Sequence, residues 1–282
     1  MNISACIRNA WFVAVAVLLF PLVACNGVIY DEEGDCSVYY RLKFRYDMNL
    51  KWADAFANEV SSVHLYAFER SGVLAWQKAE QIVPGTAEDY SMLLDLPPGD
   101  YKLLAWCGLQ NDGERDESFS VPEARVGETR MEQLQCALNR QHDESGAYSE
   151  EHLYRLFHGT LDVSLPVNDD GGSYEYTMPL IKNTNHVRVI LQHLSGVDVN
   201  KEDFIFRIDD ENGLMAYDNE LLADENINYR PWDIQNVEAG IGREGDSAVS
   251  KVKGLVADFT VGRLIETHRE KMMLTITNRE GK

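Results

Sequence analysis

The stretch SVYYRLKFRY, residues 37–46, decides the fold because apolar and polar residues alternate along its whole length. One face would hold Val38, Tyr40, Leu42, Phe44 and Tyr46, and the other face would hold Tyr39, Arg41, Lys43 and Arg45. Successive side chains of a β-strand point to opposite faces, so this pattern predicts a half-buried strand. We therefore expect a sheet with one face in a core and one face in solvent.

Short strand-like runs separated by turn residues follow along most of the chain. Residues 60–77 place two β-rich runs around Glu69-Arg70-Ser71-Gly72, which predicts a hairpin. Residues 91–108 predict a second hairpin across Pro97-Pro98-Gly99-Asp100. The later runs are LDVSLPV, SYEYTMPLI, HVRVILQHL, DFIFRID, GLVADFTVGRLI and KMMLTIT. No amphipathic helix of a βαβ unit separates them, so we predict a mainly β protein with two β-sandwich domains in tandem.

The limits of the two domains are predicted from a gap in the apolar pattern. Residues 139–150, NRQHDESGAYSE, collect turn-forming residues and are predicted to be a linker. The first sandwich is then expected at 37–138 and the second at 151–282. The last run ends on the turn residues Asn278–Gly281 with no returning strand. We expect either that the chain as given is truncated, which is the favoured interpretation, or that another chain completes an open edge.

The N-terminal segment predicts export and lipid attachment. Trp11–Ala24 is an uncharged run of 14 residues, shorter than the ~20 residues that a membrane-spanning helix needs. With Arg8 before it, residues 1–24 are typical of a signal peptide cleaved after Ala24. Leu22-Val23-Ala24-Cys25 resembles a bacterial lipobox, so Cys25 is the predicted lipidation site. The alternative is an ordinary signal peptide with a chance cysteine. Residues 25–36 are acidic and predict a tether, held at a membrane by two or three acyl chains.

Composition and motifs exclude several classes of function. The chain carries a net charge of −20, which would repel phosphate backbones, so nucleic acid is not an expected partner. GIGREG, residues 240–245, has the spacing of a dinucleotide-binding loop, but neither a buried strand nor an apolar helix flanks it. The sequence has no GxSxG, HExxH or P-loop motif. We therefore predict no catalytic residue, no cofactor and no metal ligand.

The cysteines left after signal cleavage and lipidation are Cys36, Cys107 and Cys136, an odd number without CxxC spacing. Cys36 and Cys107 both border predicted strands and form a candidate disulfide in an exported protein. Buried free thiols are an equally good interpretation.

Several stretches together resemble one known family. They are DCSVYYRLKFRYDMNLKWADAFANEVSSVHLYAF, the PPGDY turn followed by AWCG, then LFHG, PLIKNTN, AYDN and INYRP. Over nearly the whole chain they resemble the Bacteroidales FimB-like fimbrial anchor lipoproteins. The resemblance implies two transthyretin-like β-sandwich domains on a lipid anchor, seated in the outer membrane and surface-exposed at the base of a fimbrium (pilus). It also implies that fimbrial shaft subunits are partners through strand exchange. Members of the family usually continue past the position of Lys282 with a further strand.

Two rival functions remain at this stage. A surface glycan-binding lipoprotein would use the same tether and folds, with a stacking platform drawn from Trp52, Trp76, Trp106 or Trp232. Core positions for these aromatic residues would favour the anchor instead. The second rival is a hydrolase with paired carboxylates, because such carboxylates need not be neighbours in the chain.

Overall fold

The computed structural model describes residues 37–50, 52–85, 88–109, 117–168, 171–193, 197–239, 252–266 and 270–281. The chain divides into two compact units. The larger one comprises Tyr39–Val167 and Ser173–Lys282. The smaller one comprises Met1–Val38 and Asn168–Gly172. Within it, the Gly172 backbone N–H donates a 3.1 Å hydrogen bond to the Ser37 carbonyl.

The prediction of a mainly β protein is confirmed. The strands of the first half are β1 Val38–Arg45, β2 Ser62–Glu69, β3 Leu74–Gln81, β4 Met92–Leu94, β5 Gly99–Cys107, β6 Phe119–Ser120, β7 Cys136–Leu138, β8 Gln141–Asp143 and β9 Gly146–Ser149. Those of the second half are β10 Phe157–Leu165, β11 Gly172–Pro179, β12 Ile181–Lys182, β13 Asn185–Gln192, β14 Phe204–Asp210, β15 Leu214–Met215, β16 Ile227–Tyr229, β17 Asp233–Ala239, β18 Val252–Val261 and β19 Met273–Asn278. In the described ranges the helices are α1 Phe56–Glu59 and the 3-10 turns Met131–Gln133 and Lys201–Asp203.

The first sandwich consists of a three-stranded sheet, β11-β1-β4, and a five-stranded sheet, β12-β10-β5-β2-β3. As the alternation on β1 predicts, Leu42 and Phe44 are buried while Arg41 is exposed. Gly159 on β10 lies against the other sheet, where an added Cβ would stand 2.8 Å from Met178 Sδ on β11. Only glycine fits this close approach, which explains the glycine that ends LFHG.

The second sandwich pairs a three-stranded sheet, β13-β18-β17, with a five-stranded sheet, β19-β14-β16-β9-β8. Their inward side chains share one core, in which Phe206 and Tyr229 of one sheet pack with Phe259 of the other. The same core continues into the first sandwich through Trp106 and Leu104 of β5. A small sheet, β15-β7-β6, also contributes to it. The two sandwiches are therefore joined by continuous apolar packing.

The predicted domain limits differ from the observed topology. Residues 139–150, predicted to be a linker, form β8 and β9 at the edge of a five-stranded sheet of the second sandwich. Beyond them, β10, β11 and β12 return to the first sandwich, although the prediction assigned 151–282 to the second. The apolar alternation is missing from β8 because all three of its residues are exposed. An exposed edge strand therefore has the composition of a linker.

The two predicted hairpins have different outcomes. The hairpin around Gly72 is confirmed, because β2 pairs with β3 and Gly72 has a φ of 80°. The hairpin across Pro97 and Pro98 is wrong. Its first strand, β4, pairs with β1, whereas its second strand, β5, pairs with β2 and β10 in the other sheet. The two prolines lie in the connection that crosses between the sheets.

Candidate functional site: exposed edge strands

Three of the resemblance motifs meet in a buried polar network at the join between the sandwiches. Asn183 of PLIKNTN donates a 2.6 Å hydrogen bond from Nδ2 to Oδ1 of Asn219 of AYDN, and Asn219 donates 3.2 Å back to Asn183. His158 of LFHG lies 2.8 Å from the Tyr217 carbonyl through Nε2. Because the carbonyl only accepts, the His158 ring donates from Nε2. These three motifs therefore have a structural role where the two sandwiches meet. We call the network of Asn183, Asn219, His158 and Tyr217 the joint.

The protonation state of His158 follows from its surroundings. The ring is 3% exposed and stands 4.5 Å from the Trp106 ring. Burial lowers the pKa of His158 to about 4, although the Tyr217 carbonyl opposes this shift. His158 is therefore neutral at physiological pH and serves the packing of the joint.

The INYRP motif supplies Tyr229, whose hydroxyl makes hydrogen bonds inside the second sandwich. The Tyr229 hydroxyl donates a 2.6 Å hydrogen bond to Asn212 Oδ1 and accepts a 3.3 Å bond from the Gly262 N–H, directly after β18. Tyr229 has no exposed surface, and burial raises the pKa of its hydroxyl well above the usual value. The tyrosine therefore links the end of β14 to the end of β18.

The surface with the properties of a docking site is formed by the outer strands of the second sandwich. β13 and β19 each end their sheet, so one side of each strand has no paired neighbour among the described residues. On β13 the inward-facing Val187, Val189 and Leu191 are only partly buried, although they pack against the core. Apolar side chains that face a core and still contact water indicate an incompletely covered sandwich.

An inward-facing apolar side chain of β19 is more exposed than those of β13. The strand β19 pairs with β14 so that Leu274 lies beside Ile208 and Ile276 beside Phe206, which places both on the core-facing side. Leu274 nevertheless exposes 49% of its surface, and the adjoining Met273 exposes 57%. An edge strand with open main-chain groups and uncovered apolar side chains can accept a further strand.

Charged pairs lie on the outward side of β13 and at both ends of β19. Arg188 on β13 binds the carboxylate of Asp258 on β18 through two hydrogen bonds of 2.7 and 3.0 Å. These bonds hold the pKa of Asp258 below its usual range, although partial burial opposes the shift. Lys271 pairs with Glu211 before β19, and Arg279 pairs with Glu202 at 3.1 Å after it. The Arg279 and Glu202 side chains are both more than half exposed, so this pair contributes little to the stability of the edge.

Some of the predicted site residues lie outside the described residues, and one, Cys107, lies in the core. Ala24, Cys25 and Cys36 lie outside the described residues, as does the GIGREG stretch. Cys107 lies on β5 and is fully buried, as is Cys136, and neither sulfur is bonded to another described cysteine. Burial raises the pKa of both thiols well above the usual value. The disulfide between Cys36 and Cys107 stays a prediction because Cys36 is not described.

The tryptophans proposed as a glycan platform differ widely in their exposure. Trp106 is fully buried, Trp76 and Trp232 are half-buried, and Trp52 is 87% exposed. Trp232 stacks on His152 with ring centroids 4.5 Å apart. Among the described residues no two tryptophan rings contact each other. This arrangement does not favour the glycan-binding rival.

The described residues offer neither a metal site nor a membrane-spanning helix. Within the described part of the chain, no three His, Cys, Asp or Glu side chains converge as a metal site would require. The same residues contain no helix long and apolar enough to cross a bilayer.

The sequence analysis did not predict the hydrogen-bonded pair of Asn183 and Asn219. The only available signal was a pair of asparagines, at 183 and 185, directly after the apolar run PLI.

The fold and the edges together define a class: a β protein of paired three- and five-stranded sheets with exposed apolar edge strands. The sequence profile of fimbrillin-A associated anchor proteins Mfa1 and Mfa2 matches residues 32–282. The chain therefore belongs to the Mfa2 family of fimbrial anchor proteins. The family resemblance inferred from the sequence motifs is thereby confirmed.

Individual relatives agree with this assignment. The minor fimbrium anchoring subunit Mfa2 of Porphyromonas gingivalis is 23% identical over 265 residues, covering 93% of this chain and 74% of that protein. A candidate adhesin from Bacteroides thetaiotaomicron is 30% identical and has a TM-score of 0.73, over 89% of this chain and 80% of that one. The crystal structure of P. gingivalis Mfa2 has a TM-score of 0.61 at 20% identity, over 87% and 79% of the two chains, and so shows the shared fold.

Proposed function

We propose that this protein is an outer-membrane lipoprotein that anchors a fimbrium to the cell surface by binding the basal shaft subunit, and that it catalyses no reaction. Membership of the fimbrial anchor family supports the anchoring role. The half-covered edges of β13 and β19 support the binding of a subunit. Anchoring requires only a firm hold on the membrane at one end and on the shaft at the other.

The hold on the membrane would come from the N-terminal segment. Residues 1–24 would be removed as a signal peptide, and Cys25 would carry two or three acyl chains. A single acyl chain binds a membrane only reversibly, whereas two or more give a stable anchor. Residues 25–36 would then serve as the tether between the lipid and β1.

The hold on the shaft would come from strand exchange at the second sandwich. A strand from a shaft subunit that added to β19 or β13 would form main-chain hydrogen bonds along the edge. Its alternate side chains would cover Leu274 and Ile276, or Val187 and Val189, and remove their apolar surface from water. The partial exposure of these inward-facing side chains is the observation that carries the proposal.

Site-specific cross-linking tests the proposed contact. A photo-reactive amino acid at position 276 or 189 should form covalent adducts with the shaft subunit in intact cells. The matched control is the same photo-reactive residue at Leu93, which lies on the first sandwich and is 38% exposed. The adducts are identified by mass spectrometry after denaturing purification.

The labelled positions from which adducts form decide whether the proposed contact is correct. Adducts from 276 or 189 and none from 93 would support strand addition at the second sandwich. Equal yields from all three positions, or adducts only within the anchor chain, would contradict it. A melting temperature close to that of the unmodified protein confirms that each labelled protein is folded.

A further inference from the structure

The strand β1 is the element through which tension on the N-terminal segment would enter the first sandwich. It is the first strand of the described residues, so a pull on the N-terminus reaches it along the covalent backbone. β1 is also the middle strand of its sheet, with β11 on one side and β4 on the other. Main-chain hydrogen bonds on both sides therefore oppose the removal of β1.

The direction of β1 follows from the residues near its two ends. At its start, the Tyr40 hydroxyl donates a hydrogen bond to the carbonyl of Pro166, directly after the last residue of β10. Directly after its end, the Tyr46 ring stands 5.0 Å from the ring of Phe157, the first residue of β10. β1 therefore runs from the end of β10 back toward the start of β10.

The joint lies at the end of β1 that is remote from the N-terminus. His158, a member of the joint, is the second residue of β10, and Leu165 is the last. A strand of nine residues is about 26 Å long, so the start of β1 is roughly that far from the joint. The second sandwich is attached to the first at the joint. A body pulled at two points turns until the line between them lies along the force, so tension between the N-terminus and the second sandwich is directed along β1.

Tension in this direction loads β1 in shear. The hydrogen bonds of β1 lie across the strand, and on the β4 side Tyr40 is beside Leu94 and Leu42 is beside Met92. A force along the strand acts on all of these bonds at once, so they must break together. A force across the strand would instead break them one after another, starting from the end.

Release of β1 would also open the core of the first sandwich. Tyr40, Leu42 and Phe44 are 3%, 0% and 4% exposed. Sliding β1 out of its sheet would bring these side chains into water, at a cost in proportion to the apolar area exposed. The residue after β1 is held as well, because the Tyr46 N–H donates a 3.0 Å hydrogen bond to Asp54 Oδ1. Packing and hydrogen bonds therefore oppose the same movement.

We propose that β1 is a mechanical clamp, which resists tension between the N-terminal segment and the second sandwich because that tension loads the strand in shear. The inference rests on the proposed function for the origin of the tension, a fimbrium that pulls against a lipid at Cys25. Forced unfolding is governed by the rate at which a structure opens rather than by its equilibrium stability. A strand loaded in shear therefore suits an anchor better than a strand that peels.

Single-molecule pulling on the purified chain without lipid tests the direction of loading. One handle is attached at residue 25, in place of the predicted lipid. The second handle is attached at Ile205 on β14 of the second sandwich, where the side chain is 57% exposed. The force at which the first sandwich opens is recorded at a constant pulling speed.

The comparison moves only the second handle, to Ser71. This exposed residue lies in the turn between β2 and β3, near the end of the sandwich where β5 pairs Gly99 with Leu165 and where β1 begins. Pulling between residues 25 and 71 would peel β1 from its start. The opening force should be at least about twofold higher with the handle at Ile205, because several hydrogen bonds then share the load.

A pair of core variants tests whether β1 is the element that yields. With handles at residues 25 and 205, Leu42→Ala on β1 should lower the opening force. Leu255→Ala on β18 is the matched control, since both leucines are 0% exposed, and it should leave the opening force unchanged. Urea denaturation shows that both variants are folded.

Equal opening forces from the two handle positions, or an equal decrease in the two leucine variants, would overturn the proposal. The handle comparison uses the unmodified core and so does not depend on the folding of a variant. Neither experiment includes a membrane or a shaft subunit. The clamp can therefore fail while the anchoring function holds, and a failure of anchoring would be seen in cells and not in these forces.

Discussion

Asn183 and Asn219 exchange side-chain hydrogen bonds, at 2.6 and 3.2 Å, in the interior where the two sandwiches meet. They are 0% and 5% exposed, and 36 residues separate them in the chain. Asn219 adopts a left-handed φ of 71°, which asparagine tolerates better than most residues. The pair therefore fixes a turn of the second half of the chain to the connection between β12 and β13.

Removing one member of this pair should destabilise the protein. Asn183→Ala leaves the Asn219 amide buried without its partner, which should lower the free energy of unfolding by ~1–3 kcal/mol. Asn219→Ala should cost about 1 kcal/mol more than Asn219→Gly, because alanine is strained at this φ. Urea denaturation measures all three. Equal stability of Asn219→Ala and Asn219→Gly would show that the left-handed φ at residue 219 does not strain alanine.

The faces of β1 can be tested by charge. Phe44→Asp should place an unpaired carboxylate in the core of the first sandwich and unfold it, because Phe44 is 4% exposed. Arg41→Asp is the control on the adjacent outward face and should shift the melting temperature only slightly. Comparable melting temperatures for Phe44→Asp and the wild type would show that the assignment of the faces is wrong.

Acid should weaken the joint through His158. Its pKa is about 4 in the folded protein and about 6.5 in an unfolded chain, so between these values the unfolded chain binds the additional proton. The stability that His158 contributes is complete above pH 6.5 and is lost as the pH falls toward 4. Between pH 7.5 and 5 the wild type should lose about 2 kcal/mol more than His158→Gln.

The matched comparison removes other contributions from that measurement. Burial also lowers the pKa of His64, but His64 is present in both proteins and its effect cancels. Parallel pH dependences for the wild type and His158→Gln would show that His158 is not protonated on unfolding. The unfolding free energies come from urea titrations at the two pH values.

The buried thiols should react only after unfolding. Cys107 and Cys136 are both buried, and burial raises the pKa of each thiol. Iodoacetamide should therefore label neither in the native protein and both in guanidinium without reductant, as counted by mass spectrometry. If Cys107 is labelled in guanidinium only after reduction, it is in a disulfide, and the prediction of pairing with Cys36 would be favoured.

Sequence pattern predicted the elements whose signals are local. The alternation on β1 and the glycine turn between β2 and β3 each appear within about ten residues. The pairing of β4 with β1 rather than β5 could not be predicted, because a proline turn fits a hairpin as well as a crossing between sheets. The edge strand β8 has no buried side chain to mark it, and so it was predicted as part of a linker.

The candidate site shows the same limit. The apolar runs that become β13 and β19 were visible in the sequence, and an open edge on the last strand was one of two expectations for it. That β13 and β19 each end a sheet depends on strand order, which is set by contacts between residues far apart in the chain.

The location of fimbriae in a deletion strain tests the anchoring claim most directly. Without the gene, shaft subunits should still polymerise, and fimbriae should appear in the culture medium rather than on cells, as counted by electron microscopy and immunoblotting of both fractions. Restoring the wild-type gene should return them to the cells. Restoring Cys25→Ala should not, because a base without lipid cannot resist pulling. Normal numbers of cell-bound fimbriae in the deletion strain would contradict the account.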